Sequence, residues 1–112
     1  MEILVRVEVH VTRVSNAWGN ELRCHELARA VHRVVGRAPL FVVDGKCGPI
    51  EHSWLCFSDG VILDPYAPGR MPAVQLIDSI VGAYRSDSPR TDIQQTIVDR
   101  LVLEMRGEDA VT

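Results

Sequence analysis

The sequence predicts an α+β domain: an N-terminal strand, a central helix packed on an antiparallel β-sheet, and two C-terminal helices. Three patterns carry that expectation. Residues 2–12 alternate apolar and polar, residues 20–36 repeat apolar positions at three- and four-residue steps, and the last third holds two more stripes of helical period. Between them lie short apolar runs bounded by turn-forming residues such as Asp44-Gly45 and Asp59-Gly60, which read as strands.

The first element rests on alternation. Ile3, Val5, Val7, Val9 and Val11 point one way and Glu2, Arg6, Glu8, His10 and Thr12 the other, with Leu4 the exception. This is the pattern of a half-buried strand, and it places His10 on the polar face. Residues 13–19 include Ser15, Asn16 and Gly19 and read as a loop. Trp18, within that loop, either covers the core or walls a pocket beside Cys24. The central helix follows over residues 20–36. Asn20 can cap its free amides, and Glu21 sits where the helix dipole favours an acid. Leu22, Leu27, Ala28, Val31, Val34 and Val35 form its apolar stripe, and Gly36 ends it.

Residues 40–43 form a short strand closed by Asp44-Gly45, and residues 46–49 a turn-rich loop. Residues 51–57 and 61–63 are the two strands of a hairpin joined through Ser58-Asp59-Gly60. Residues 64–69, with two prolines and a glycine, end the sheet portion. Pro72 then opens a helix whose stripe is Ala73, Leu76, Ile77, Ile80, Val81 and Tyr84, with Gly82 a candidate early stop. Residues 85–90 are a linker loop. Thr91 and Gln94 make a capping box for the last helix, striped by Ile93, Ile97, Val98, Leu101, Val102 and Met105 and stopped by Gly107. Residues 108–112 are expected to fray.

Composition narrows the class. A chain of 112 residues forms one domain, residues 1–112, able to bury about two thirds of its unfolded surface. Apolar residues make up 46% and charged residues 24%, as in ordinary globular proteins. The formal charge of -3, without a basic block, argues against nucleic acid as partner. With no leader pattern and no apolar run of 18 residues, the chain is expected neither to be secreted nor to span a membrane. Cys24, Cys47 and Cys56 are an odd number without CxxC spacing, which suits free thiols in a reducing compartment such as the cytoplasm.

Chemistry concentrates at three residues. Cys24 lies about four residues past the proposed cap, where a thiolate gains from the helix N-terminus. It is also in phase with Ala28, Val31 and Val35, the position of an ordinary packed thiol. His52 opens one hairpin strand and Asp64 closes the other. A cysteine, a histidine and an aspartate in that order suit a nucleophile, a base and the group that orients the base. Taken singly, His52 also suits a structural histidine and Asp64 a turn-former. The hairpin loop decides their geometry. A two-residue Asp59-Gly60 turn puts His52 and Asp64 on opposite faces; a three-residue loop with Gly60 left-handed puts them on the same face. Both loops fit the sequence.

The run from Gly19 to Cys24, the helix to Gly36, His52-Ser53-Trp54 and Leu63-Asp64-Pro65 resembles the papain-like cysteine protease superfamily in its transglutaminase-like form. The likeness covers about 46 residues. It implies a papain-like core with Cys24 as nucleophile, His52 as base and Asp64 as orienter, and Trp54 beside the pocket. That family sets a glutamine before its cysteine to help hold the oxyanion; here the loop has none, so Trp18, Asn20 or the amide of Cys24 would serve. The implied activity is that of a thiol amidohydrolase or acyltransferase, a peptidase, deamidase or transglutaminase-like enzyme working through a thioester on a peptide or protein amide. It calls for no cofactor. The competing reading is a non-catalytic domain that keeps the same fold to bind a protein partner. A metal site using Cys24, His25, His52 or Cys47 matches no standard zinc spacing.

Overall fold

The computed structural model describes residues 2–36, 40–66, 72–78 and 84–107. Along the chain run α1 (Glu2–Trp18), a short 3-10 turn (Gly19–Glu21), α2 (Cys24–Val35), β1 (Leu40–Cys47), β2 (Ile50–Phe57), β3 (Val61–Tyr66), β4 (Pro72–Asp78), β5 (Tyr84–Ser86) and α3 (Gln95–Arg106). The strands form an open antiparallel sheet in the order β4-β3-β2-β1-β5, four longer strands with three-residue β5 at one edge. The α2 helix lies on β1, β2 and β3, α1 reaches β4, and α3 packs on α1 and α2.

Residues 2–18 are a helix, which corrects the expected N-terminal strand and the loop after it. The alternation conceals a second period. Val7, Val11 and Val14 are 0–3% exposed and follow at steps of four and three, with Trp18 one step further. Val5 and Val9, on the same side of the expected strand, are 58% and 55% exposed. A β-branched residue costs roughly half a kcal/mol against alanine in a helix. Burying the stripe against the other helices and the sheet outweighs that preference.

The helix expected from Pro72 to Tyr84 is also corrected. Pro72–Asp78 is a strand on the free edge of β3, pairing Ile62 with Ile77 and Leu63 with Leu76. A short apolar run reads equally as strand or helix, and β3 offers unpaired backbone groups that only a strand can satisfy. Proline at a strand's first residue removes little. Ile80, Val81 and Gly82 lie outside the described residues, as do residues 37–39, 67–71 and the tail 108–112. The resemblance implied a papain-like, transglutaminase-like core. Two helices before the sheet, an open meander rather than a curled sheet, and a single C-terminal helix do not match that topology.

The middle of the chain extends the expected strands. The β1 strand runs through Asp44-Gly45 to Cys47, and only Gly48-Pro49 turns the chain into β2. Gly45 stays within the strand because β5 crosses it closely; a Cβ there would overlap the Arg85 carbonyl. In the next hairpin Leu55 faces Leu63 and Cys56 faces Ile62, the three-residue register, with Gly60 at φ 91°. The strand continues past Asp64 with an irregularity between Asp64 and Tyr66.

The α2 helix begins later than expected. Asn20 and Glu21 lie in the 3-10 turn, Leu22 is extended and buried, and Cys24 is the first helical residue. At α3, Thr91 lies outside the helix. The Gln94 N–H instead donates to Glu26 Oε2 at 3.1 Å, so a carboxylate from α2 serves the start of α3. Glu26 is 1% exposed and also takes the Arg23 guanidinium at 2.7 and 2.5 Å. Gly107 ends α3 in the left-handed region at φ 70°.

The two readings of residues 5–11 separate by mutation. Val7→Asp buries an unpaired charge and is expected to cost more than ~3 kcal/mol, while Val9→Asp stays within ~0.5 kcal/mol. Urea unfolding of both variants checks this; equal losses would restore the strand.

Candidate active site around Cys24

Three elements deliver the site. The stripe of α2 fixes its rotation on the sheet, which leaves its first turn beside the start of β2. First-turn amides of a helix have no intrahelical acceptor, so the site begins with donors that favour negative charge. Cys24 occupies that turn, half-buried, in a cavity of about 310 Å3 bordered by Asn20, Arg23, His25, His52 and Tyr66.

The first partner is His52, 1% exposed. Its Nε2–H donates to Asp64 Oδ2 at 2.8 Å. Continuing the Leu55–Leu63 register puts Asp64 opposite Trp54 and on the face of His52. Asp64 is fully buried, and its remaining capacity is used. Oδ2 also accepts the Tyr84 hydroxyl at 2.6 Å, and Oδ1 the Tyr66 N–H at 3.0 Å. Burial and the neighbouring Asp64 push the Tyr84 phenol up, so it stays a proton donor. Trp54 stacks on the imidazole at 5.9 Å between centroids and 25° between planes, and Tyr84 meets Trp54 edge-on at 5.0 Å. Trp54, 3% exposed, therefore supports the His52 ring from behind.

The second partner is His25, 8% exposed, whose Nδ1 and Nε2 lie 3.6 and 3.9 Å from Cys24 Sγ. His25 Nδ1 is 2.7 Å from Ser53 Oγ, and Ser53 donates its hydroxyl to Asp44 Oδ1 at 2.6 Å. Asp44 Oδ2 accepts Arg29 at 2.6 Å and the Arg90 N–H at 3.0 Å. Burial would raise the Asp44 carboxyl; Arg29 and Ser53 outweigh it and hold it below the usual carboxylate range.

These contacts set the ionisation of the thiol. Burial by itself would push Cys24 up. Hydrogen bonds and charge from His25 and His52 overcome it and bring the thiol down to about 6. Burial would likewise lower His52, but Asp64 and Cys24 raise it to about 9. Burial pushes the Cys47 and Cys56 thiols up, with Asp64 and Asp59 adding to it. Among the described residues every buried side-chain nitrogen and oxygen has a hydrogen-bond partner.

Of the residues singled out in sequence, His52 is bonded to Asp64, Cys24 borders the same cavity as His52, and Trp54 stacks on the His52 ring. The two oxyanion candidates part. Asn20 borders the cavity, whereas Trp18 lies on the helical stripe of α1 and turns to α3, where its Nε1–H donates to Glu104 at 2.8 Å under the Arg100 guanidinium. The reading of the sequence left out Asp44, taken as a turn residue, Ser53, and Tyr84, taken as part of a helix. The one local signal was His25 directly after Cys24. Among the described residues no group of three His, Cys, Asp or Glu side chains converges as a metal site, and no helix is long and apolar enough to cross a membrane.

Removing the imidazole would strand a buried carboxylate. His52→Ala is expected to cost about 3–5 kcal/mol in chemical unfolding. Asp64→Asn, which keeps the shape, should leave the fold in place. At neutral pH, competitive alkylation followed by peptide mapping should label Cys24 ahead of Cys47 and Cys56, because only Cys24 has its thiol lowered by neighbouring imidazoles; labelling of either of the others first would contradict this.

Comparison of the chain with protein-family models, with curated proteins and with solved structures finds no match.

Proposed function

We propose that this protein is a thiol-dependent amidohydrolase or acyltransferase that works through a thioester on Cys24. The observation that carries the reading is the half-buried thiol at a helix start, held to about 6 beside a His52 raised to about 9 and backed by Asp64. Between those two values thiolate and imidazolium coexist. That is the resting state a cysteine nucleophile requires.

The chemistry follows from the contacts. The thiolate attacks an amide carbonyl, and the negative charge on the carbonyl oxygen falls near the first-turn amides of α2. His52 uses Nε2–H to hold Asp64, which leaves Nδ1 to exchange a proton with the sulfur and then with the leaving amine. The C–N bond breaks and a thioester remains. Water resolves it as hydrolysis, an amine as transfer. A cavity of about 310 Å3 is small for an enclosed ligand and suits one amide group of a larger peptide or protein substrate. A reducing, cytoplasmic setting fits a catalytic thiolate and three free cysteines.

The test is the rate of alkylation of Cys24 by iodoacetamide against pH. Below about 6 the thiol is protonated and the rate falls; above it the rate reaches a plateau carried by the ion pair, until His52 loses its proton near 9. His52→Gln, which keeps a donor for Asp64 but carries no charge, should move the rise to higher pH. Asp64→Asn should move it the same way by less. A wild-type profile that rises only at the pH of a free thiol, about 8.5, would defeat the proposal.

A further inference from the structure

Two imidazoles flank one sulfur, and the chemistry above uses one of them. The second is held in a defined tautomer. Asp44, kept ionised, has no proton to give, so the Ser53 hydroxyl must donate to it. Ser53 Oγ therefore accepts from His25, and the ring proton sits on Nδ1. In the neutral ring Nε2 then carries the lone pair, 3.9 Å from the atom that would hold the acyl group. Arg29 and the Arg90 N–H fix the far end of this chain, and it shares no member with the His52–Asp64 pair.

We propose that His25 is a second catalytic base, which activates the water or amine that resolves the thioester, while Ser53 and Asp44 position it. The proposal rests on the thioester reading. The acyl carbon lies one bond from Sγ, so a nucleophile approaching it can come within the 2.6–3.2 Å or so that proton transfer to Nε2 needs. His52 is poorly suited to the same task. Asp64, bonded directly to its ring, favours imidazolium, and a protonated ring accepts nothing from water, whereas the carboxylate on the His25 side acts only through Ser53.

The step balances. Water oxygen bonds to the thioester carbon and its proton passes to His25 Nε2, while Nδ1–H stays on Ser53. The C–S bond then breaks, its electron pair returns to Cys24 as thiolate beside His52, and the carboxylic acid leaves. His25 gives its proton to solvent. With an amine in place of water the same transfer yields an amide.

The experiment uses the full chain and p-nitrophenyl acetate. Release of p-nitrophenolate reports acylation, and intact-mass spectrometry follows the decay of the acetyl-enzyme. Cys24→Ser marks the background. His25→Gln, which keeps a donor to Ser53 and supplies no base, should still acylate and should accumulate acetyl-enzyme that decays roughly 100-fold more slowly. Ser53→Ala, which leaves the imidazole in place, should slow the same decay by a smaller factor. Hydroxylamine, which cleaves thioesters without a base, should clear the acetyl group from His25→Gln as fast as from wild type. Decay of His25→Gln at the wild-type rate would overturn the role of His25 while leaving the thioester reading intact. A folded His25→Gln protein that fails to acylate would overturn it too, by placing His25 in the first step. Absence of any acetyl-enzyme in the wild type, even trapped by acid, would overturn the thioester reading itself.

Discussion

A buried carboxylate holds the site together. Asp64 has no exposed surface, and an isolated ion there would be prohibitively desolvated. It is tolerated because an imidazole N–H, a phenol and a backbone amide converge on its two oxygens. Each partner is fixed in turn by that need. His52 is held in the tautomer that frees Nδ1, Tyr84 is drawn across from the edge strand, and the chain bends past Asp64 where the β3–β4 register shifts. Charge at Asp64 sustains charge on His52, and His52 sustains the thiolate.

The site also depends on how consecutive residues diverge. His52 and Ser53 are neighbours in β2, so their side chains leave opposite sides of the strand. One meets Asp64 and the other Asp44. Cys24 and His25 are neighbours at the start of α2, and the imidazole of His25 links the helix to the Ser53 side. Two carboxylates therefore act near one sulfur without facing each other. Asp44 is paired with Arg29, and its influence reaches the imidazole of His25 through the Ser53 hydroxyl. Asp64 contacts its imidazole directly. A direct carboxylate raises a histidine strongly, whereas one acting through a hydroxyl chiefly orients it.

The helices outside the site complete its support. Glu26, two residues after Cys24, is buried between Arg23 and the start of α3, which ties the reactive end of α2 to the C-terminal helix. The buried valines of α1 and the stripe of α3 close the core around Leu27 and Val31. Gly45 lets β5 approach β1 closely enough for Tyr84 to reach Asp64.

By itself the sequence determined the elements whose local pattern admits one reading. The stripe of α2 permits only a helix, and Gly107 and the stripe before it define α3, whereas the hairpin loop fitted two registers and only the Leu55–Leu63 pairing chose the three-residue one. The order Cys24, His52, Asp64 was visible as a candidate set, but each residue also had a structural reading, and the shared face of His52 and Asp64 awaited the hairpin register. Tertiary structure decided wherever two periods were both present. Val5 to Val11 alternate and also hold a helical stripe, and α1 formed because α2, α3 and the sheet offered a surface for Val7, Val11 and Val14. Residues 72–78 fit a helix, but the unpaired edge of β3 made them a strand. The His25–Ser53–Asp44 chain was illegible because its hydrogen bonds join residues 28 and 9 positions apart. Sequence spacing encodes which face a residue takes; which distant partner stands opposite follows only once helices and sheet have packed.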